Sequence, residues 1–333
     1  DSRKALVGNY EGTSSRYITV LEGIEDYVGE NVRVLYSEGC HLYRDRTSNL
    51  AMEHDRDSEV RAVCEASDVV IAVVGLDATL EGEEGDTGNE YGSGDKPNLN
   101  LPGLQPDIIR IAKESGKPVI VVLLAGSAMA LSWEDEHVDA ILDGFYPGAQ
   151  GGAAIAEILF GGANPEGKLP ITFYQTTEEL PEFTDYAMKG RTYRYMENEA
   201  LYPFGYGLSY TTYAYGNLEC VKPFDAQDGI TLQVTVTNTG DREGTETLQV
   251  YVKAKREGTP NPQLKYVKKI TLKPGESVTE EIHLSPEAFM LYDEKGNFTL
   301  EKGAYDIFVG GCQPDARSAA LTGNAPQKLT VTY

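Results

Sequence analysis

The sequence predicts an α/β domain with a mostly parallel sheet flanked by helices on both faces, followed by an all-β sandwich. Roughly the first 200 residues alternate short apolar runs with segments whose apolar residues recur at helical spacing. After about residue 215 the pattern becomes a strict alternation of apolar and polar residues, which is typical of half-buried antiparallel strands. At 333 residues the chain is long enough for two such domains.

Two nearly continuous apolar runs, Asp68–Gly75 and Lys117–Gly126, predict strands that are buried on both faces. Helices are predicted between such strands, and short alternation of this kind indicates right-handed crossovers and a parallel sheet. The predicted helices are Ser58–Ala66, Pro102–Ser115 and Gly151–Phe160, and the further predicted strands are Val32–Tyr36, one within DAILDGFYPG (139–148) and an edge strand in GKLPITFY (167–174).

The remainder of the chain carries about seven short strand patterns in about 115 residues, which indicates a sandwich of the immunoglobulin or fibronectin type. A segment rich in Tyr, Gly and Pro precedes the sandwich, and we interpret it as an ordered strap. Its aromatic side chains are predicted to pack between the domains and hold them together: Tyr202, Phe204, Tyr206 and Tyr210. We therefore predict three parts: an α/β domain at 1–199, a connecting strap at 200–216 and a sandwich at 217–333.

The charge of the chain restricts its partners. With 29 Lys and Arg against 52 Asp and Glu, the net charge is −23, which argues against nucleic acid or an anionic membrane surface and favours a neutral small ligand. The four cysteines form no CxxC pair, so buried free thiols and a reducing, cytoplasmic location are predicted. Secretion stays open, because the opening residues read as the middle of a domain.

The most informative segment is a loop of about 26 residues that follows the first buried strand, because loops of that length in a compact domain are usually functional or disordered. In an open α/β sheet such a loop lies where ligands bind. The residues alone leave three interpretations open: a solvated acidic loop, a catalytic carboxyl or a cation site. The acidic residues of the loop are Asp77, Glu81, Glu83, Glu84, Asp86, Glu90 and Asp95.

Other catalytic patterns are absent from the sequence. The GSA string at Gly126–Ala128 lacks the G-x-S-x-G nucleophile elbow, and the four histidines are dispersed. No string in the sequence has the glycine spacing of a phosphate-binding loop or of a dinucleotide-binding fingerprint.

Five strings occur in one order along nearly the whole chain, and together they resemble glycoside hydrolase family 3, particularly its β-xylosidase branch. The strings are NYEGTSSRYITVLEGI (Asn9–Ile24), LEGEEGD…GDKPNLNLPGLQ (Leu80–Gln105), GKPVIVVLLAGSAMALSW (Gly116–Trp133), AILDGFYPGAQGGAAIAEILFGGANPEGKLPITFY (Ala140–Tyr174) and LYPFGYGLSYTTYAY (Leu201–Tyr215).

The resemblance implies a longer enzyme. Family members carry a (β/α)8 barrel that supplies a nucleophilic aspartate, then the α/β domain and, in many, a fibronectin type III-like domain. This chain resembles the part after the barrel, and it also lacks the strand that the family places directly before Asp1. The expected partners are the barrel domain and an oligosaccharide or aryl β-glycoside; a homodimer stays open.

The resemblance also implies a retaining mechanism that requires no metal or organic cofactor. The general acid/base would come from the long loop, and we predict it to be Glu81, with Glu83 as runner-up. The family often has Arg where this chain has Lys96, so a bidentate contact at that position is in doubt. Tyr146 and Gln150 are candidates for lining the cleft, but the sequence identifies no substrate-binding residue.

The predicted activity is that of an exo-β-glycosidase acting on non-reducing-end β-linked sugars; a β-xylosidase is the preferred assignment, and a β-glucosidase is the alternative. Because the nucleophile would lie in the barrel, the 333-residue chain alone is expected to be inactive. The rival from another class is a non-catalytic carbohydrate-binding or assembly module.

Overall fold

The computed structural model describes residues 1–9, 11–46, 48–82 and 96–333. The chain divides into two compact units. The first comprises Asp1–Ala163 and Tyr174–Glu178, and the second comprises Asn164–Phe173 and Glu179–Tyr333. The two units therefore interleave along the sequence, and the predicted three-part division at residues 199 and 216 stays a prediction.

The first unit contains a parallel sheet of three strands in the order β1-β2-β3. The sequence-based prediction of a parallel sheet is thus confirmed. The strands are β1 (Val70–Gly75), β2 (Val119–Leu124) and β3 (Ala140–Asp143), and the helices are α1 (Val20–Val28), α2 (Asp57–Glu65), α3 (Gln105–Glu114), α4 (Ser132–His137) and α5 (Gly151–Leu159), with short 3-10 turns at Lys4–Leu6, Gly29–Asn31 and Thr177–Glu179.

Helices cover both faces of this sheet, as the continuous apolar runs predict. Successive side chains of a strand point to opposite faces, and the burial along β2 follows this rule. Val122 packs in a cluster with residues of α1 and α5, whereas Val119 packs in a second cluster with residues of α2 and α3. Because both faces of β2 are covered, its sequence has no polar position.

The ends of the helices follow from local residue chemistry. The side chain of Thr19 accepts a hydrogen bond from the amide of Glu22 and so caps α1. Helix α3 begins three residues later than predicted, at Gln105, with a proline in its first turn, and Gly116 follows its end with a φ of +72°.

Two segments that the sequence predicts as strands are not strands of this sheet. Val32 has an extended backbone, but the residues around it pair with no other strand in the described part of the chain. In the predicted edge strand, Phe173 forms a single antiparallel bridge with Tyr202, and both residues belong to the second unit. Strand propensity is insufficient without a partner that completes the hydrogen-bond ladder, and Pro170 has no amide hydrogen to contribute.

The second unit is an antiparallel sandwich of one three-stranded sheet, β4-β5-β8, and one four-stranded sheet, β12-β11-β6-β7. A small hairpin, β9-β10, is added to these seven strands. The strands are β4 (Tyr213–Asp225), β5 (Gly229–Asn238), β6 (Gly244–Ala254), β7 (Gln263–Leu272), β8 (Ser277–Leu284), β9 (Leu291–Tyr292), β10 (Phe298–Thr299), β11 (Ala304–Gly310) and β12 (Gln327–Thr332), and the helices are α6 (Thr192–Tyr195) and α7 (Ala316–Thr322), with a 3-10 turn at Pro286–Phe289.

The core of the sandwich explains the alternating pattern of its sequence. Along β5 the apolar residues Ile230, Leu232, Val234 and Val236 are fully buried, and the threonines and glutamine between them are half-buried. The inward side chains of both sheets form one contiguous cluster. The prediction of a sandwich after the α/β domain is confirmed. Of the helices described, none combines the length and the apolar character needed to cross a membrane.

The strap is held on the sandwich by buried polar contacts. The amide of Gln249 on β6 donates a hydrogen bond of 2.9 Å to the carbonyl of Gly205. The Nζ atom of Lys168 lies 3.6 Å from a carboxylate oxygen of Glu246 and donates a hydrogen bond of 2.7 Å to the carbonyl of Gly207. Both charged side chains are largely buried, so removal of either one would leave an uncompensated buried charge on the other.

The packing of α1 against α5 generates a prediction about stability. A Cβ atom at Gly152 would lie 1.9 Å from the carbonyl oxygen of Thr19, and one at Gly23 would lie 2.2 Å from the Gly152 carbonyl. We expect Gly152→Ala to lower the free energy of unfolding of the first unit by about 3 kcal/mol, because the helices must separate. Urea unfolding followed by fluorescence of Trp133, the single tryptophan, measures this.

Gly12→Ala is the matched control, because a Cβ atom at Gly12 would have no neighbour within 4 Å among the described residues. This variant should unfold within about 0.5 kcal/mol of the unsubstituted protein. Equal urea midpoints for both variants would show that the two helices are not in backbone contact.

Candidate active site

The carboxyl ends of the three parallel strands bring together the residues that could carry chemistry. Glu81 lies a short distance after β1, Ser127 follows β2, and Asp143 and Tyr146 lie at and after the end of β3. Parallel strands end at the same edge of a sheet, and this edge is where open α/β sheets bind ligands.

A compact turn after β1 positions Glu81. The carboxylate of Asp77 accepts hydrogen bonds from the amide and the hydroxyl of Thr79, at 2.8 and 2.5 Å. The carbonyl of Asp77 accepts the amides of Leu80 and Glu81, at 2.9 and 3.1 Å. Because Leu76 and Leu80 are fully buried, the turn is anchored at both ends. Asp77 therefore has a structural role in the described turn.

The carboxylate of Glu81 accepts three hydrogen bonds from residues that follow the other two strands. Its Oε2 atom accepts the amide of Gly126 at 2.8 Å and the hydroxyl of Tyr146 at 2.5 Å. Its Oε1 atom accepts the hydroxyl of Ser127. We call these three donors, the Gly126 amide and the Ser127 and Tyr146 hydroxyls, the carboxylate cradle.

The ring of Tyr146 lies tightly between two glycines. A Cβ atom at Gly8 would come within 2.9 Å of the ring, and one at Gly126 would come within 2.6 Å of it and 3.1 Å of the Glu81 Oε2 atom. Glycine at position 126 is therefore required for the close approach of ring and carboxylate. Burial, together with the hydrogen bond to Glu81, raises the pKa of Tyr146 above its ordinary value, so its hydroxyl stays a donor.

Lys96 lies at the opposite end of the loop and senses the charge of Glu81. Burial lowers the pKa of Lys96 to about 8, and the negative charge of Glu81 acts against this shift. The Nζ atom of Lys96 donates a hydrogen bond to the carbonyl of Asn98. Among the described residues, the hydrogen bond of Lys96 is thus to one backbone oxygen, which a point charge can make without the fork of an arginine.

The structure describes some of the site residues predicted from the sequence, and others lie outside the described part of the chain. Glu81 lies at the predicted edge, and Tyr146 contacts it. Gln150 is exposed, and its side chain accepts no capping hydrogen bond from the amides of α5. The runner-up Glu83 and the other acidic residues of the loop, Glu84, Asp86, Glu90 and Asp95, lie outside the described residues. In the part of the chain that the structure describes, no group of three or more His, Cys, Asp or Glu side chains could hold a metal ion.

Sequence reasoning missed two residues of this edge. Ser127 was considered only as a nucleophile and not as a donor to a carboxylate. Asp143 ends β3, and the available signal is a charged residue at the end of an apolar run. Its Oδ1 atom accepts the amide of Phe145 at 3.0 Å. Its Oδ2 atom is buried and has no hydrogen-bond partner among the described residues, and burial raises the pKa of Asp143 to about 6.

The raised pKa of Asp143 predicts a pH-dependent loss of stability. The folded chain binds this proton more tightly than the unfolded chain, so stability falls as the pH rises from about 4 to about 6 and stays lowered above that range. We expect Asp143→Asn, which keeps an acceptor for Phe145, to raise the free energy of unfolding at pH 7.5 by about 2 kcal/mol.

Thermal unfolding at pH 7.5 and pH 4.5 measures this, and the gain should be much smaller at pH 4.5, where Asp143 is already protonated. The same gain at both pH values would contradict a buried carboxylate as the cause.

Comparisons with known proteins agree with this architecture. The family model described as glycosyl hydrolase family 3 C-terminal domain matches residues 1–210, and the fibronectin type III-like domain model matches residues 246–313. The chain is 35% identical over 340 residues to a periplasmic β-glucosidase of Salmonella typhimurium, covering 93% of this chain and 43% of that protein.

Two further proteins support the same assignment. The chain is 41% identical over 258 residues to a xylan 1,4-β-xylosidase of Xylanibacter ruminicola, covering 76% of this chain and 30% of that protein. A solved β-glucosidase structure from Erythrobacter marinus superimposes with a TM-score of 0.79 at 30% identity, covering 98% of this chain and 44% of that one. The chain spans less than half the length of each of these proteins. The family model and these relatives together show that the chain belongs to glycoside hydrolase family 3.

Proposed function

We propose that the protein containing this chain is a retaining exo-β-glycosidase that hydrolyses non-reducing-end β-linked sugars, and that this chain supplies its general acid/base. The observation that carries the proposal is the position of Glu81. Its carboxylate is held at the ligand-binding edge of a parallel sheet by donors from two neighbouring strand ends. Membership of the family supports the class of reaction.

The preferred substrate is a β-xyloside, and a β-glucoside is the alternative. The loop string LEGEEGD resembles the β-xylosidase branch, and the relative with the higher identity is named a xylosidase. The other curated relative is named a β-glucosidase, so both sugars belong in the first assays.

In the proposed reaction, a barrel domain of the same enzyme supplies the nucleophilic aspartate. As this aspartate attacks the anomeric carbon, the bond from that carbon to the glycosidic oxygen breaks, and the acid of this chain transfers its proton to the departing oxygen. The resulting carboxylate then takes a proton from water, which attacks the anomeric carbon and releases the aspartate. This sequence requires the two carboxyl groups to stand about 5–5.5 Å apart.

Glu81 is the first candidate for this acid and Glu83 the second. We expect Glu81→Ala in the longer protein to lower kcat/KM by about 10³-fold for aryl β-xylosides with poor leaving groups. The loss should be less than about tenfold for a dinitrophenyl β-xyloside, because that leaving group departs without a proton. Added azide should restore turnover of the activated substrate, because a small anion can occupy the space of the removed side chain.

Glu83→Ala is the matched control, because it removes a carboxyl from the same loop two residues away. If Glu81 is the acid, the Glu83 variant should show no such dependence on the leaving group and no response to azide. The reverse pattern would transfer the role to Glu83. If the longer protein binds xylo-oligosaccharides but hydrolyses no β-glycoside, the rival carbohydrate-binding function holds instead.

A separate prediction concerns the 333-residue chain by itself. Because the proposed nucleophile lies in the barrel, the purified chain should release no nitrophenol from nitrophenyl β-xyloside or β-glucoside, whereas the longer protein should. Turnover by the purified chain, abolished by Glu81→Ala, would show that the nucleophile lies in this chain.

A cytoplasmic location and a homodimer stay predictions. All four cysteines are free thiols in the structure, which agrees with a reducing compartment. The Salmonella relative, in contrast, is named as periplasmic.

A further inference from the structure

We propose that the sandwich of the second unit binds a single uronic acid ring, a sugar with one ionised carboxylate, in a cavity beside the end of β6 and the beginning of β11. The cavity has a volume of about 270 Å³. The choice of a sugar among anionic ligands rests on the proposed function, whereas the cavity and its charges are features of the sandwich alone.

The floor of the cavity is apolar and belongs to the core of the sandwich. Phe289, Leu291 and Tyr305 line it, and the rings of Phe289 and Tyr305 meet edge to face with their centroids 5.4 Å apart. Both rings are almost completely buried, so the floor is held in place by the packing of the core. Binding sites for small molecules commonly combine such an apolar surface with a few polar groups that fix the ligand.

The rim of the cavity is mainly positive. Three basic side chains and one acidic side chain line it: Lys255, Arg256, Lys302 and Glu301. Glu301 is already paired with Arg256, and Lys255 lies 3.9 Å from a carboxylate oxygen of Asp306 on β11. Lys302, in contrast, has no ion pair within the described part of the chain. The rim therefore offers an uncompensated ammonium group beside an apolar floor.

A smaller cavity shares this floor and adds two lysines, Lys253 and Lys265. Neither lysine forms an ion pair with a described residue, and the Nζ atom of Lys265 donates a hydrogen bond of 3.2 Å to the side-chain oxygen of Gln263. Burial lowers the pKa of Lys265, and the positive charge of Arg194 acts in the same direction. A bound anion would relieve this repulsion between like charges.

The charge at this end of the sandwich is opposite to that of the whole chain. Five basic side chains and one acidic side chain line the two cavities, whereas the chain has 29 Lys and Arg against 52 Asp and Glu. Because salt screens exposed charges beyond about 8–10 Å, the nearby lysines rather than the net charge determine which ligand enters. An anion is therefore favoured here, although the chain as a whole repels anions.

The size and the floor of the cavity select the class of anion. Its volume lies below the range of about 300–1,000 Å³ that is typical of sites for drug-sized ligands, so one sugar ring fits better than several. Phosphate or acetate would leave the apolar floor uncovered, and a neutral sugar would leave the lysines unpaired. A uronic acid ring packs its C–H groups on the floor while its carboxylate accepts charge-assisted hydrogen bonds from the lysines.

This site would give the proposed glycosidase a second point of attachment to β-linked polymers that carry acidic side groups. Attachment through two sites raises the effective concentration of the substrate without any new contact at the reacting bond. The lysines of the cavity therefore act in binding, and they have no part in the proposed chemistry.

Calorimetric titration of the longer protein with sodium glucuronate tests the proposal, with excess xylose present to fill the site of the glycosidase reaction. We expect a Kd on the order of 1 mM, because a ligand of about 13 non-hydrogen atoms binds with that affinity at ordinary efficiency. Glucose, acetate and inorganic phosphate should each bind at least about tenfold more weakly, since each lacks either the charge or the ring. Equal affinity for acetate or phosphate would reveal a general anion site and overturn the proposal.

Substitution of Lys302 locates the binding. Lys302→Ala should weaken glucuronate binding by about five- to tenfold, because one charge-assisted hydrogen bond is lost, and Lys302→Glu should abolish it. Lys295→Ala is the matched control, because Lys295 is an exposed lysine of the β9-β10 turn that lines neither cavity. It should bind glucuronate within about twofold of the unsubstituted protein.

The absence of glucuronate binding, or unchanged binding after Lys302→Glu, would overturn the proposal. All of these variants should hydrolyse a nitrophenyl β-xyloside at the rate of the unsubstituted longer protein. If the longer protein hydrolyses no glycoside, the proposed function fails, while the titrations still decide whether the sandwich binds a uronic acid.

Discussion

The pairing of β2 with a parallel strand on each side is the constraint on which the first unit depends. Its six residues pair with β1 along their whole length and with β3 along most of it, and helices cover both of its faces. A strand in this position has no freedom to shift its register, because a shift by one residue would exchange the side chains of its two faces. The residues that follow it, Gly126 and Ser127, are fixed in space as a result. The position of the Glu81 carboxylate follows from theirs.

The fold was predictable where burial leaves a strong pattern in the sequence. The runs that became β1 and β2 are apolar at almost every position, and the alternation along β5 matches its burial residue by residue. The strand predictions were wrong where pairing with a neighbouring strand decides whether a segment becomes part of a sheet. The residues around Val32 favour a strand, but nothing in the sequence says whether a neighbouring strand will complete the ladder. Phe173 lies in the second unit and bridges to Tyr202 of that unit, and the sequence pattern could not predict this partner, because tertiary structure sets it.

The candidate site was predictable in location but not in composition. A long acidic loop after a buried strand, together with the resemblance of its residues to a known family, was sufficient to select Glu81. The donors to Glu81 are 45, 46 and 65 residues distant in sequence, and only the order of the parallel strands brings them together. A serine after a strand and a tyrosine in a glycine-rich turn are common features, so neither residue could be recognised as a carboxylate donor beforehand. Asp143 was missed because a single charge in an apolar run does not reveal whether its oxygens find partners.

The interleaving of the two units has a practical consequence for truncation. Residues 164–173 belong to the second unit, and the chain then returns to the first for residues 174–178. In that short return the carbonyl of Gln175 accepts the hydroxyl of Ser132, and the hydroxyl of Thr177 accepts the amide of Leu99. No single cut in the gene yields either unit whole: a stop codon after residue 163 deletes the returning strip, and one after residue 178 leaves residues 164–173 without the rest of the second unit, to which they belong. Expression of either half calls for a rejoined or circularly rearranged coding sequence.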